Sequence, residues 1–380
     1  MDAPRSTDGT AAVLAIIVVF HPDLSRLSLA LDAACAQCQR VCVVVNGADP
    51  ATEKWLNDRQ RRGSIHKLIL APRNHGLGWA HNRGVEDARA SGMSHVLLLD
   101  QDSVLDADGV SRLLGAERDL GRRGVRPGAV AAEFRDSRTA VSYSFLQWTG
   151  LRFRKVRRPE RDLLPVDHAI SSGSLIPLTV LETVGGLRED FFIDYVDVEW
   201  CHRARHAGYP VYGLTMPLVD HQLGHGVRRL PCGIALLPLH PAWRVYYIFR
   251  NALLLYRAPH IPRMWALQHF RRLCAKGFAI LVLCPGRRRY TRAIMDGMID
   301  GLRGRSGACG RFLPKVDPAM DSPTVNTGQW SRVSPPRSSG KAVGVSAQGG
   351  MQVASRSSGS ASGDRSAPAG VPTSRETPGR

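Results

Sequence analysis

The chain has 380 residues, with 51 Lys and Arg against 33 Asp and Glu and a net charge of +18. That balance excludes an acidic, solvating polypeptide and suits either nucleic acid or an anionic membrane face, with a solvated basic surface as the plain alternative. No apolar run reaches the ~18 residues of a membrane-crossing helix. The eight cysteines have no second Cys/His pair to complete a zinc set beside Cys35, Cys38 and Cys42, so buried thiols in a reducing cytosolic compartment are expected.

Residues 1–10 are polar and expected to fray, and the first apolar run leads into the fold without the pattern of a signal peptide. Residues 13–20 are apolar and rich in β-branched side chains, a buried strand ended by His21-Pro22-Asp23. A helix is expected over 24–37, a strand over 41–45 turning at Asn46-Gly47, a helix over 52–62 and a strand over 65–70. Gly76-Leu77-Gly78 leads into a helix over 79–91, and residues 96–99 form a fourth strand. This alternation predicts a parallel, nucleotide-binding-like half with right-handed crossovers. Beyond it the pattern predicts a helix ending near Gly121, strands at 129–134 and 141–146, a basic surface loop or hairpin at 152–158, and a strand-like stretch at 169–176. A short helix to Val184, a helix over 194–207, and strands at 209–212 and 218–220 follow. From Leu236 the chain turns helical, with helices over 243–256, 263–284 and 290–302. The second carries Phe270, Leu273, Phe278, Ile280 and Leu281 among Arg271, Arg272 and Lys276, which reads either as a membrane-surface helix or as a core-facing one. The Ser-, Gly-, Pro- and Arg-rich end of the chain cannot bury enough surface to offset chain entropy. The expected division is 1–10 frayed, 11–235 catalytic, 236–305 helical and 306–380 a largely disordered basic tail.

Candidate chemistry centres on Leu99-Asp100-Gln101-Asp102-Ser103. Ligands of open α/β sheets sit beyond the carboxyl ends of the strands, where Asp100 and Asp102 fall. Two hard oxygen donors suit Mg²⁺ or Mn²⁺ shared with a diphosphate, while strand-end capping explains the same residues without a ligand. The glycines between Asn74 and Gly84 precede a helix, and they either bring N–H groups to a phosphate or only make a turn. Asp194, Asp197 and Glu199 crowd one helix start. Capping accounts for Asp194 and an ion pair with Arg203 accounts for Glu199; Asp197 is open to the helix dipole or, crowded by the other carboxylates, to the raised pKa of a general base. His221, at the end of a late strand, is a further metal-ligand candidate against the commoner structural histidine.

Taken in order, Phe20-His21-Pro22-Asp23, Asn74-x-Gly76-x-Gly78-x-Ala80-x-Asn82-x-Gly84, Asp100-Gln101-Asp102-Ser103, Ser172-Gly173-Ser174-Leu175, Phe191 to Trp200 with Arg203 and Gly208-Tyr209, and Tyr246-Tyr247-x-x-Arg250-Asn251 resemble the family 2 glycosyltransferases, within them the rhamnosyltransferases. The resemblance spans residues 13–258. It implies an α/β fold of GT-A type: a mixed nucleotide-binding sheet flanked by helices, here with a C-terminal helical extension and a disordered tail. It implies inverting transfer of a deoxyhexose, L-rhamnose from dTDP-L-rhamnose, to a cell-surface polysaccharide or lipid-linked glycan. Asp100, Asp102 and His221 match the metal site, Mg²⁺ or Mn²⁺, and Asp197 matches the base. Glu199 and Trp200 match acceptor-site support. Phe20, His21, Asn46, Asn74, Gly76, Asn82, Asp100 and Gln101 match donor-binding positions. Val45 departs from the pattern, since many relatives carry an aspartate there to hold the nucleobase. The implied partners are a nucleotide sugar, a glycan acceptor and peripheral contact with the inner membrane face from the cytoplasm, and nucleic acid is set aside. The competing non-enzymatic reading is a sugar-nucleotide or polyanion binding protein.

Overall fold

The computed structural model describes residues 11–136, 141–143, 145–150, 153–155, 163–220, 227–229, 236–238, 240–283 and 286–314. Residues 1–10, most of the 152–158 loop, His221 and everything after residue 314 lie outside the described residues.

Strand β1 (Val13–Val19) is buried at every position. Its odd and even residues feed two separate cores: Leu14, Ile16 and Val18 on one face, Val13, Ala15, Ile17 and Val19 on the other. That is why a continuous apolar run, rather than an alternating one, encodes it. β1 pairs in parallel with β2 (Arg40–Asn46) and with β4 (His95–Asp100), and β2 pairs in parallel with β3 (Lys67–Ala71). The crossovers are α1 (Leu24–Gln37), α2 (Pro50–Arg61) and α3 (Leu77–Ala90). Asp23 and Asp49 cap α1 and α2 by accepting N–H bonds from the first turn.

The second half of the sheet is mixed. β11 (Ser174–Pro177) runs antiparallel to β4 and to β6 (Ala129–Asp136), and β6 is parallel to β12 (Val211–Asp220). β12 also pairs with β10 (Leu163–Val166) and with the two-residue strand β5 (Val104–Leu105). The main path is β10-β12-β6-β11-β4-β1-β2-β3. Helices α4 (Gly109–Arg122), α5 (Leu178–Val184) and α6 (Val196–His206) pack on this sheet.

Two expectations need correction. The strands expected at 209–212 and 218–220 are one strand, β12, whose register shifts around Pro217. A bulge lets a residue without an N–H sit in mid-strand, so the proline does not end it. The helix expected from Asp194 starts at Val196, because Asp194 and Tyr195 take φ of 62° and 63°. The basic run, expected as a loop or hairpin, contributes β9 (Phe153–Lys155), which pairs with β8 (Leu146–Trp148) as a short hairpin, and β7 (Val141–Tyr143) pairs antiparallel with β6.

The C-terminal helices are α7 (Ala242–Tyr256), α8 (Arg263–Leu283) and α9 (Arg287–Leu302). Val245, Phe249, Leu273, Ile280 and Ile294 form their shared core. Gly297 and Gly301 bring α9 against the backbone carbonyls of Tyr246 and Arg250, an approach that a Cβ would block.

Candidate active site

The carboxyl ends of three parallel strands meet at one edge of the sheet. Val18 is in register with Asp100, and Val19 with Val45, so Phe20, His21, Asn46 and Asp100 share that edge. The Phe20 N–H donates to Gln101 Oε1 at 2.7 Å, which ties the exit of β1 to the loop after β4. His21 has φ of 45°, and its ring meets Phe20 edge-on at 4.5 Å. Arg26 on α1 locks this loop from behind. Its Nε donates to the Asp102 carbonyl at 3.0 Å, and its Nη2 donates to the Asp220 carbonyl and carboxylate at 2.9 Å each. Asp220 ends β12, and the next residue in sequence is His221.

The loop before β11 joins this edge to the Asp197 carboxylate. Ser172 Oγ accepts the Asp100 N–H at 3.3 Å and lies 2.6 Å from Ser103 Oγ. One residue earlier, the Ser171 N–H donates to Asp197 Oδ2 at 3.2 Å, and the Val198 N–H donates to Oδ1 at 2.8 Å. Burial pushes the Asp197 carboxyl up to about 6, against the two N–H bonds, and the charges of Asp194 and Asp100 push the same way. Asp197 as a whole residue is nevertheless only partly buried.

Asp197 follows a strained turn. Phe192, Asp194 and Tyr195 all have φ between 62° and 66°, a region that residues with a Cβ adopt only under constraint. The constraint comes from α7. Asn251 Nδ2 donates to the carbonyls of Phe191, Ile193 and Asp194 at 2.8, 2.7 and 3.1 Å. Arg250 Nη2 donates to Phe191 O at 2.9 Å, and its Nε donates to Asn251 Oδ1 at 2.9 Å. Arg244, also on α7, holds the Asp194 carboxylate through Nε and Nη2 at 3.0–3.2 Å. Burial alone would raise the Asp194 carboxyl, but the Arg244 charge and hydrogen bonds more than offset it. Arg244 is stabilised as a cation first by Asp194, and also by the fields of Asp100 and Asp197. The site therefore pairs a strand-end acidic loop with a second acidic turn, and a guanidinium is fixed on the second.

Residues 15–185 match the model of the family Glycosyl transferase family 2. The chain is 27% identical over 300 residues to the dTDP-rhamnosyl transferase RfbF of Shigella flexneri, covering 79% of this chain and 98% of that protein. It is 23% identical over 271 residues to the low-salt glycan biosynthesis hexosyltransferase Agl10 of Haloferax volcanii, covering 70% and 83%. The protein is a glycosyltransferase with a family 2 domain. Among solved structures it resembles S. aureus TarS, with a TM-score of 0.51 and 13% identity over 77% of this chain and 49% of that one. TarS residues 1–349 in complex with UDP-GlcNAc give a TM-score of 0.50 and 13% identity over 76% and 81%. The fold is thus of the GT-A type.

In this glycosyltransferase, several residues expected at the site serve the scaffold. Gly76 has φ of 97°, and a Cβ there would come within 2.6 Å of Phe192 O. The Gly76 N–H is taken by Asn74 Oδ1 at 2.8 Å, and the Leu77 N–H by Phe192 O at 2.6 Å. The glycine run packs α3 onto the strained turn, and these two N–H groups are not left for a phosphate. Asn46 donates to Asn74 Oδ1 and Gly76 O and accepts from the His75 N–H, so it shapes the same loop. Asn82 is bonded to both backbone groups of Leu187 and to Glu189, on the flank of the turn. Glu199 is only 1% exposed and turns away from Asp197. It holds Arg203 through both oxygens at 2.9 Å and lies 3.1 Å from His260 Nε2, while Arg203 donates to Val184 O and Gly186 O. Trp200 is buried, with its indole N–H on Gly185 O. Both side chains are buried in contacts with the protein itself. In a regular helix Glu199 sits about 200° round from Asp197, whereas Trp200 sits only about 60° from it and is buried by its packing at Gly185.

Sequence reasoning missed Ser171, Arg26 and Arg244 as contributors and gave Asn251 no role. The available signals were polar residues inside quoted motifs and an arginine at the start of an otherwise apolar helix. Asp100 and Asp102 supply hard oxygen donors, and that chemistry fits a divalent cation whose remaining ligands are diphosphate oxygens and water. Among the described residues no group of three or more His, Cys, Asp or Glu side chains forms a complete metal cage. His221, the further ligand expected from sequence, lies outside the described residues.

Proposed function

We propose that this glycosyltransferase moves a deoxyhexose, L-rhamnose from dTDP-L-rhamnose, with inversion onto a hydroxyl of a cell-surface polysaccharide or lipid-linked glycan. The observation that carries the reading is the Ser171–Ser172 bridge, which links Asp100 and Asp197 through adjacent residues. The rhamnosyl donor is supported by the similarity to RfbF over 98% of that protein's length. Asp197 takes the proton of the acceptor hydroxyl. The freed oxygen attacks the anomeric carbon, and the bond from that carbon to the diphosphate oxygen breaks on the opposite face. Asp100 and Asp102 would hold a Mg²⁺ or Mn²⁺ ion, which when bound neutralises charge on the departing diphosphate. Arg244, oriented by Asp194, adds fixed positive charge beside the two acidic loops. Phe20, His21 and Gln101 lie where the nucleotide would enter, next to Asp100. The enzyme works in the cytoplasm, peripheral to the inner face of the membrane.

The test is a screen of nucleotide sugars read by release of nucleoside diphosphate, with and without chelator, on wild type and Asp102→Ala. Turnover is expected with dTDP-L-rhamnose and metal, and loss of it in chelator and in a folded Asp102→Ala. Turnover of another donor instead would overturn the sugar assignment. Full activity of Asp102→Ala would overturn the metal assignment.

A further inference from the structure

Helix α8 has two apolar faces. One is committed to the protein: Trp265, Leu273 and Ile280 are buried, with Trp265 stacked on His269 and edge-on to His202. The other is exposed. Met264, Leu267, Phe278 and Val282 face solvent, Phe278 at 71%. At 100° per residue these four fall within about 60° of one another, on a stripe about 27 Å long. On α9, Met295, Ile299 and Leu302 make a second exposed stripe, with Leu302 at 61%. Most of the large apolar side chains exposed among the described residues lie on these two helices. Isolated exposed apolar residues need no explanation, but stripes at helical spacing mark a covered surface.

The charge around the stripes identifies the cover. Arg263, Arg271, Arg272, Arg287, Arg288, Arg289 and Arg292 are exposed on the same two helices. Helix α8 contains no acidic residue. The acids of α9 are already engaged: Asp300 by Tyr246 and Arg305, and Asp296 by Arg311. A second copy laid on this face would bring arginine against arginine. Nor is either helix long and apolar enough to cross a bilayer. An apolar stripe with snorkelling arginines on a helix lying flat is what an anionic lipid surface takes up.

We propose that the outward faces of α8 and α9 dock on an anionic lipid surface. This deepens the peripheral placement given above and rests on it. The inner side of the same helix packs on the strained turn, where His269 meets the Tyr195 ring edge-on at 5.4 Å, two residues before Asp197. Docking through α8 therefore brings the site close to the plane in which a lipid-linked acceptor would be carried.

The test is sedimentation of the full chain with vesicles of phosphatidylglycerol and phosphatidylcholine, against vesicles of phosphatidylcholine alone. Wild type is expected to partition to the anionic vesicles and to be released by salt. Leu267→Asp with Phe278→Asp should abolish the partition. Arg271→Gln and Arg288→Gln should each weaken it about fivefold. All of these positions are exposed, and donor hydrolysis without lipid serves as the check on folding, since none belongs to the catalytic machinery. No partition of the wild type would overturn both the placement and the surface. Equal partition of wild type and all variants would overturn the surface alone. Self-association without lipid, removed by the same substitutions, would overturn the lipid assignment in favour of a second copy. A separate loss or retention of donor turnover bears on the transferase reading and not on this one.

Discussion

The two acidic loops of the site are built by opposite means. Asp100 ends a regular strand with a buried interior, and its position follows from the strand itself. Asp197 follows three residues held in left-handed backbone, and its position depends on side chains of α7 about 50 residues later. A strand end needs only its own sheet. A strained turn needs an external clamp, which Asn251 and Arg250 provide. Regular structure thus places the loop assigned to the donor, while tertiary contacts place the proposed base, so perturbations far from the chemistry should reach the second loop more readily than the first.

The largest effect should come from the base itself. Asp197→Asn is expected to lower kcat by about 10²–10⁴ while donor affinity stays near wild type, measured by steady-state kinetics and calorimetry. The same substitution should raise thermal stability. A carboxyl whose folded pKa is about 6 rather than 3.8 costs stability above that range, by about 1–3 kcal/mol after allowance for the partial exposure of the residue. A variant that is inactive and less stable than wild type would show that Asp197 is a structural residue.

The clamp comes next. Asn251→Ala takes the amide donor from the Ile193 and Asp194 carbonyls and leaves Phe191 O to Arg250, and it should cost about 1–3 kcal/mol in a denaturant melt. Its kcat should fall further than its donor affinity, because the loop bearing Asp100 does not depend on α7. An equal loss in both would dissolve the distinction between the two loops.

The pH profile sharpens the same contrast. Asp197 must be ionised to accept a proton, and burial raises its pKa to about 6, so kcat should rise with pH through about 6 and then level off. Raised affinity for the proton means that folding stability falls, rather than rises, as pH climbs from 3.8 to about 6 through this group. A flat kcat between pH 5 and 8 would count against Asp197 as the base.

The smallest catalytic effect is expected at Glu199. Glu199→Gln weakens the ties to Arg203 and His260 and should cost about 2 kcal/mol of stability, read from the melting temperature, while kcat changes less than about tenfold. A collapse of kcat in a stable Glu199→Gln protein would exchange the roles of the two carboxylates.

The parallel half was legible in the chain because each of its strands is a local object. Residues 13–19 are apolar at every position, so a strand buried on both faces follows without knowledge of its neighbours. Asp100 and Asp102 stood out for the same reason, as charges directly after such a run. The opposite orientation of Asp197 and Glu199 was also legible, since two helical positions lie about 200° apart. What the sequence by itself determined is therefore the set of elements with a period of their own and the polar residues at their ends. Only the tertiary structure decided that Asp194 and Tyr195 precede α6 in left-handed backbone, that Gly76 yields to Phe192, and that Asn251 and Arg244 hold the turn. Those features arise between segments far apart in the chain, through single hydrogen bonds and close backbone approaches that leave no periodic trace. The sequence likewise could not choose between a core-facing and a surface helix for α8, because a helix apolar on both sides meets both descriptions until its packing partners are known.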